Sequence, residues 1–384
     1  MKEFLKKKDI EISVKRYLID ALGAMAQGLF CTLLIGTILN TLGSLGIPLF
    51  SEPVYTNADG TLSFTIGGFA SAMVGPAMAA AIGFALKAKP LVLFSLIPVG
   101  YATNMMGGAG GPLAVLIVVI VACEFGKLVA GETKIDILVT PIVTILVGIG
   151  LAYLVAAPIG AAASYVGKLI MWATELQPFL MGILVSVLVG IALTLPISSA
   201  AICAALSLTG LAGGAAVAGC CAQMIGFAFM SFRENGVGGL VSQGIGTSML
   251  QMPNIIKNPK IWIPPIITSV ITGPMATCLF HMQMNGTPVS SGMGTCGLVG
   301  QIGVYTGWVN DIAEGSKAAI TFMDWAGLLL ICFIIPAVIT PLIAIPFRKM
   351  GWIKENDLKL VLGTADSEKA EEAVEEAAAE AAAE

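Results

Sequence analysis

Long apolar runs separated by short polar breaks make up most of this chain, and their lengths predict membrane-crossing helices. A helix needs roughly 20 apolar residues to cross the hydrocarbon core of a bilayer. The first run extends from about Tyr17 to Gly46, and the polar stretch Ser51–Ser63 after it has Asp59-Gly60 as a turn signal and no basic residue. The second covers about Thr65–Leu86 and ends at Lys87 and Lys89. Between Pro90 and Ala130 lie two short spans, separated by the Gly-rich stretch Met105–Pro112, and Ile135–Pro158 forms a fifth. From Ala161 to Gln177, Val166, Leu169, Ile170 and Ala173 alternate with Lys168 and Glu175. That pattern predicts an amphipathic helix lying along the interface. Phe179–Leu195 crosses next.

The second half is less regular. Apolar sequence from Ala200 to Phe232 is too long for one straight crossing, and Arg233-Glu234-Asn235-Gly236 then opens a Gly/Ser/Gln-rich stretch to Pro253. Ile261–Met282 and Phe322–Pro346 cross again, with the Gly/Ser/Thr-rich segment Met284–Gly307 between them. Basic residues mark the cytoplasmic side. Lys257 and Lys260 precede the first of these spans, while Arg348, Lys349 and Lys354 follow the second. The intervening chain must therefore start and end outside, and polar backbone at membrane depth has to be buried in protein or line water. A re-entrant hairpin meets both conditions. The basic start at residues 1–16 puts the N-terminus inside as well, with no cleavable signal peptide expected.

Composition supports the same class. Of 384 residues, 57% are apolar and 11% charged, against a charged share of roughly 25% in soluble domains. Mean hydropathy is +0.90. A β-barrel would show short alternating segments instead of these unbroken runs. The expected fold is an all-α polytopic membrane protein of about ten transmembrane segments with two re-entrant hairpins. The net charge of −4 is unevenly spread: residues 365–384 hold eight acids against Lys369, a net −7 that leaves +3 for the rest. That tail has no apolar stripe and reads as a solvated segment. The eight cysteines lie in apolar stretches without metal-ligand spacing, and His281 is the only histidine. They read as small core residues, so no metal and no cofactor is expected.

One motif occurs twice. Pro196-Ile197-Ser198-Ser199-Ala200 returns as Pro288-Val289-Ser290-Ser291-Gly292. Pro and Ser suit the first turn of a helix, whose N–H groups lack partners. Half-helix starts within a membrane aim those donors at a solute, and paired interrupted segments point to a transporter's site. Arg233 and Glu234 are the adjacent opposite charges of the second half, so Glu234 is the candidate acceptor or base, held ionised by Arg233. Asn235, Asn285, Thr287 and Gln301 add groups that bind hydroxyls. The candidate solute-binding set is Ser198, Ser199, Arg233, Glu234, Asn235, Asn285, Thr287, Ser290, Ser291 and Gln301. Plain span starts with similar caps, and a solvated loop pair, are the structural alternatives.

The run Leu195–Ala200, the Arg233-Glu234-Asn235-Gly236 loop and the stretch Asn285–Gly294 resemble the EIIC-like membrane subunits of the bacterial phosphotransferase system, in the branch that includes the perfringolysin O regulator type. The resemblance covers about residues 13–350. It implies a fold of the EIIC glucose-superfamily kind in the bacterial inner membrane, working as a homodimer. The implied parts are a basic N-terminus (1–16), a dimerisation domain (17–158), a linker helix (159–177), a substrate domain (178–347) and a cytoplasmic tail (348–384). It also implies a sugar-like solute and separate EIIB and EIIA partners, with phosphoryl transfer aided by a glutamate at the sugar. The family's Gly-Ile-Thr-Glu signature is absent, and Glu234 is the residue to which the catalytic role falls. Nucleic acid is not an expected partner.

Three readings remain open on the sequence. One is a sugar permease working by alternating access, with phosphorylation by separate subunits. Another is a membrane sensor or regulator that binds a sugar-like ligand without moving it. The third is an ion-coupled carrier, for which Glu124 is the carboxylate inside a span.

Overall fold

The structure is a computed structural model and describes residues 2–44, 46–60 and 62–360. The expected acidic tail lies outside the described residues. A short helix α1 (Lys2–Lys7) precedes the long α2 (Lys15–Gly43). Strands β1 (Tyr55–Thr56) and β2 (Ser63–Phe64) then pair antiparallel. Gly60, at φ 71°, takes the left-handed position of the intervening turn, as the Asp59-Gly60 signal predicts.

Helices α3 (Ile66–Ala72) and α4 (Val74–Ala85) form one bent pair, with an angle of 51° between them. Next come α5 (Pro90–Gly107) and α6 (Gly111–Val129). Lys89 reaches the carbonyl of Ala130 at 3.4 Å, and Gly107 lies against Ala114. The two helices are therefore antiparallel and fold back at Gly108 (φ 50°), as the Gly-rich break predicts.

Helix α7 (Asp136–Thr174) departs from expectation. It runs unbroken through Pro158, so the stretch expected as a separate interfacial helix is the continuation of the preceding span. The backbone of Gly107 and Gly110, at the tip of the α5–α6 hairpin, packs against Ile159 and Gly160, just after the proline. At about 1.5 Å per residue, its 39 residues are close to twice as long as a bilayer core is thick. The extension brings Gly167 onto Ile202 and Leu206 of the second half.

The second half contains α8 (Pro178–Thr194), α9 (Ser199–Ala205), α10 (Gly210–Met230), α11 (Phe232–Val241), α12 (Pro259–Leu279), α13 (Pro288–Ser291), α14 (Val299–Ala313) and α15 (Phe322–Lys349). Helix α10 is the axis, with residues 213–228 all buried. Helices in lipid associate through close backbone approach at small residues. Gly219 of α10 lies against the carbonyl of Ser186 in α8, and Gly273 of α12 against that of Gly182. Hydroxyls bridge the same seams, with Ser186 donating to the carbonyl of Ser269 at 2.8 Å and Thr268 meeting Thr340 at 2.8 Å.

Among the described residues, six helical stretches are long and apolar enough to cross a membrane, with the α5–α6 hairpin counted as one, or seven if the bent pair counts as one span. The sequence-based count of about ten also takes α5 and α6 separately and includes shorter helices such as α8. Gly219→Ala is expected to destabilise the bundle by about 1–3 kcal/mol, because the new methyl meets backbone on α8 instead of a movable side chain. Thermal unfolding of the detergent-purified protein measures it, and an unchanged midpoint would show that the α8–α10 seam tolerates a wider spacing.

Candidate functional site

Helix α10 serves as a ruler for the second half, since its contacts give the depth of every neighbouring segment. Gly210 at its start pairs with Met284 through two backbone hydrogen bonds of 3.0 Å. Its last turn, at Met230, lies beside Arg348, near the end that carries Lys257 and Lys260. We call the first level the Gly210 end and the second the basic end.

The second motif begins at the Gly210 end and descends. Gly294 presses against Cys220 and Cys221 at the middle of α10, and Thr295 Oγ1 reaches Met224 Sδ at 3.5 Å. The chain then turns through Gly297 and Leu298, both left-handed at φ 53° and 60°, and climbs back along α14. Asp311 of α14 meets Asn285 again at 3.0 Å. A left-handed leucine is strained backbone, of the kind held in place only where surrounding packing over-determines it.

The first motif follows a similar course. Helix α8 starts at Pro178, whose carbonyl accepts from Thr277 at 2.8 Å near the end of α12. It descends until Thr194 lies 3.4 Å from Gln223 of α10, and after the Pro196 turn α9 rises back toward Gly210. Ser198 caps α9 by accepting the N–H of Ala201 at 3.2 Å, as the motif predicts. Its own N–H donates to the carbonyl of Ala109 at the tip of the α5–α6 hairpin, at 2.9 Å.

The two motifs touch. Ser199 Oγ donates to the carbonyl of Gly292 at 2.7 Å, and only a glycine at 292 leaves room for the backbone of Ser199 and Ala200. The other hydroxyls shape the second turn: Ser290 meets Thr287 at 2.9 Å, and Ser291 donates to the carbonyl of Pro288 at 2.7 Å. Gln301, on α14, donates through Nε2 to Cys221 Sγ at 3.2 Å, while its buried Oε1 has no hydrogen-bond partner. Ser198, Ser199, Thr287, Ser290, Ser291 and Gln301 thus belong to one region beside the middle of α10.

The remaining expected site residues lie elsewhere. Asn285 sits at the Gly210 end, where its amide donates to both carboxylate oxygens of Asp311 at 3.1 and 3.0 Å. Arg233, Glu234 and Asn235 lie at the basic end, just beyond α10. Glu234 does not pair with Arg233, which is exposed. Its Oε1 instead accepts from Arg348 at 2.7 Å, and the same guanidinium nitrogen donates to the carbonyl of Met230 at 3.2 Å. The Glu234 side chain is 7% exposed, and its Oε2 is buried without a hydrogen-bond partner. Gly236, at φ 58° and ψ −155°, takes a conformation open to glycine alone and breaks the helix two residues later.

Sequence reasoning missed Arg348 and a ladder of buried amides below it. Gln243 donates to Ser231 at 2.9 Å, Gln251 to Gln243 at 2.8 Å, and Asn254 to Gln251 at 2.8 Å. The Gln-rich composition of this stretch was the available signal. Gln223 was also missed: its Oε1 accepts from the indole of Trp262 at 2.9 Å inside the bundle.

Glu124, the carboxylate of the ion-coupled reading, lies 3.4 Å from the buried ammonium of Lys127 near the end of α6. Lys127 in turn donates to the carbonyl of Leu86 at 3.0 Å. The carboxylate therefore has a cation of the protein's own beside it. Six cysteines are buried, as expected of core residues, and Cys31 and Cys278 are exposed.

Long apolar helices packed through glycines define this chain as an all-helical, multi-pass membrane protein. It belongs to the EIIC family of the phosphotransferase system, whose family model, described as "Phosphotransferase system, EIIC", matches residues 19–360. Membership makes it, at the level of the family, a sugar permease component embedded in a membrane. No curated protein and no solved structure matches the chain.

The pairing of Glu234 can be tested against its sequence neighbour. Arg348→Met leaves a buried carboxylate without its partner and is expected to cost about 2 kcal/mol, below the usual loss for a fully buried pair because Arg348 is a quarter exposed. Arg233→Met is expected to cost less than about 0.5 kcal/mol, as surface changes do. Thermal unfolding of both variants decides it, and equal shifts would contradict the assignment.

Proposed function

We propose that this chain is the sugar-translocating subunit of a phosphotransferase permease, with its solute site where the two Pro-x-Ser-Ser turns meet. The observation that carries the reading is the 2.7 Å bond from Ser199 to Gly292, which joins two chain reversals beside the middle of α10. Such reversals are the expected form of re-entrant hairpins, and with α5 and α6 taken separately and the bent pair as one span they support an architecture of about ten segments. Irregular backbone at that depth belongs beside a solute path.

Hydroxyl-rich solutes need acceptors as well as donors. Gln301 Oε1 and Glu234 Oε2 are buried acceptors without partners, one beside the turns and the other toward the basic end. Leaving such a group unsatisfied costs about 1–3 kcal/mol, which a bound hydroxyl recovers. In this reading the sugar binds at the turns, and residues 178–347 carry it toward the basic end. That end is cytoplasmic by the positive-inside rule. There Glu234 acts as base to the hydroxyl that takes the phosphoryl group from a separate EIIB protein, itself charged by EIIA. Residues 17–158 form the homodimer contact, α7 beyond Pro158 links the halves, and both termini face the cytoplasm of a bacterial cell.

A second reading is a membrane sensor that binds a sugar-like ligand without group translocation. The closure of Glu234 by Arg348 favours it, since a carboxylate held this way is not free to act as a base.

Uptake into right-side-out vesicles that enclose phosphoenolpyruvate, the general phosphotransfer proteins and EIIA and EIIB tests the first reading against the second. Phosphosugar is expected to accumulate, and Glu234→Gln is expected to lower the rate about a hundredfold or more, as loss of a general base does. Sugar binding without phosphoenolpyruvate-dependent accumulation would leave the sensor. Transport driven by an ion gradient alone would remove both.

A further inference from the structure

After α15 the chain does not leave the protein. Residues 352–360 turn back and lie along the loop that holds Glu234. Four amide side chains of that loop clamp them. Asn235 Nδ2 donates to the carbonyl of Leu358 at 2.7 Å, and Asn235 Oδ1 accepts the N–H of Leu360 at 2.8 Å. Gln251 donates to the same Leu358 carbonyl at 3.0 Å, Asn254 to the carbonyl of Lys359 at 2.9 Å, and Asn258 to that of Trp352 at 2.8 Å. Ile353, Leu358 and Leu360 are 2%, 0% and 9% exposed and seat the segment as apolar plugs.

The clamp and the carboxylate are mechanically linked. Asn235, which makes two of the bonds, follows Glu234 directly, and Arg348, which holds Glu234, lies four residues before Trp352. Glu234 is thus held by Arg348 of α15 on one side and, on the other, adjoins Asn235, which is clamped to the C-terminal segment. We propose that residues 352–360 are a removable strap that closes Glu234 in this conformation, and that the strap must lift before the carboxylate can act. The regulatory meaning of the strap rests on the role given to Glu234 above; the closure itself does not.

The chemistry of the clamp suits reversible use. Its amide bonds to the strap run mainly to backbone atoms and involve no ion pair, and each hydrogen bond of this kind contributes little net stability. A short segment at the edge of the bundle, seated by three apolar side chains and a few such bonds, opens locally at a lower free energy than the bundle unfolds. Gly236, next to Asn235, gives the loop a point at which to swing without strain. The family match runs to residue 360, so it includes the strap.

Coupling of carboxylates to glycine ethyl ester by a water-soluble carbodiimide reads the closure directly, with peptide mass spectrometry of the purified full chain in nanodiscs. The exposed Glu314, near the Gly210 end, is the internal control. In the wild type, Glu234 is expected to stay unmodified while Glu314 reacts. Leu358→Asp, which places a charge in the buried plug, and a chain ending at Gly351 are each expected to raise Glu234 modification about tenfold or more. A chain ending at Leu360 is expected to behave as the wild type, and Asn254→Ala to give a smaller rise.

Wild-type modification of Glu234 already at the level of the variants would overturn the proposal. So would no rise in either strap variant, or an equal rise on removal of residues 361–384 alone. Uptake by the same proteins reconstituted into sealed vesicles separates the two claims. A rise in modification without phosphoenolpyruvate-dependent uptake keeps the strap and removes the permease reading. Uptake with unchanged modification removes the strap alone.

Discussion

Backbone N–H and C=O groups within a bilayer have no water to bond to, so a chain that reverses direction there must supply its own partners. In the proposed re-entrant arrangement, the contact between the two Pro-x-Ser-Ser turns is the form that constraint takes in this protein. Ser199 gives its hydroxyl to Gly292, the N–H of Ser198 goes to Ala109 of the first half, and the Gly210–Met284 bridge closes the other end. Each reversal is held by its neighbour instead of by solvent. The glycines follow from the same need, because a hydrogen bond between backbones requires the backbones to approach. Gly292, Gly294 and Gly219 are positions where a single methyl would hold the segments apart.

Local signals were legible in the sequence and distant pairings were not. Ser198 as a helix cap and the folding back of the chain between α5 and α6 depend on residues a few positions apart, and both are present. The partner of Glu234 depends on which of two arginines the fold brings near. Arg233 is adjacent in sequence, yet a helical neighbour points elsewhere, and Arg348 arrives from 114 residues away. Asn285 fails as a member of the turn cluster for a related reason. The segment that carries it spans half the depth of the bundle, so sequence proximity to Ser290 does not mean equal depth. Pro158 misled because proline disfavours a helix interior, whereas this helix continues through it, with the tip of the α5–α6 hairpin packed just beyond at Ile159 and Gly160.

The polar groups divide into those that build the site and those left over. Nearly every hydroxyl of the two motifs is engaged in holding a turn, so these serines shape the reversals more than they offer donors. Among the described residues, the buried acceptors without a hydrogen-bond partner are on Gln301, Glu234 and Glu124, the last lying 3.4 Å from Lys127 in the first half. Gln301 and Glu234 lie at different depths, one beside the middle of α10 and one beyond its end. A carrier that moves a hydroxylated solute from membrane depth to the basic face needs acceptors at both stations.

The central claim is that the solute binds where the two turns meet. A cryo-electron microscopy structure of the protein with a bound sugar tests it most directly. The account predicts ligand density against the turns at Ser199 and Gly292, with a ligand hydroxyl within hydrogen-bond reach of Gln301 Oε1. Density confined to the Gly210 end, around Asn285 and Asp311, with the turns unchanged and still in contact, would contradict it.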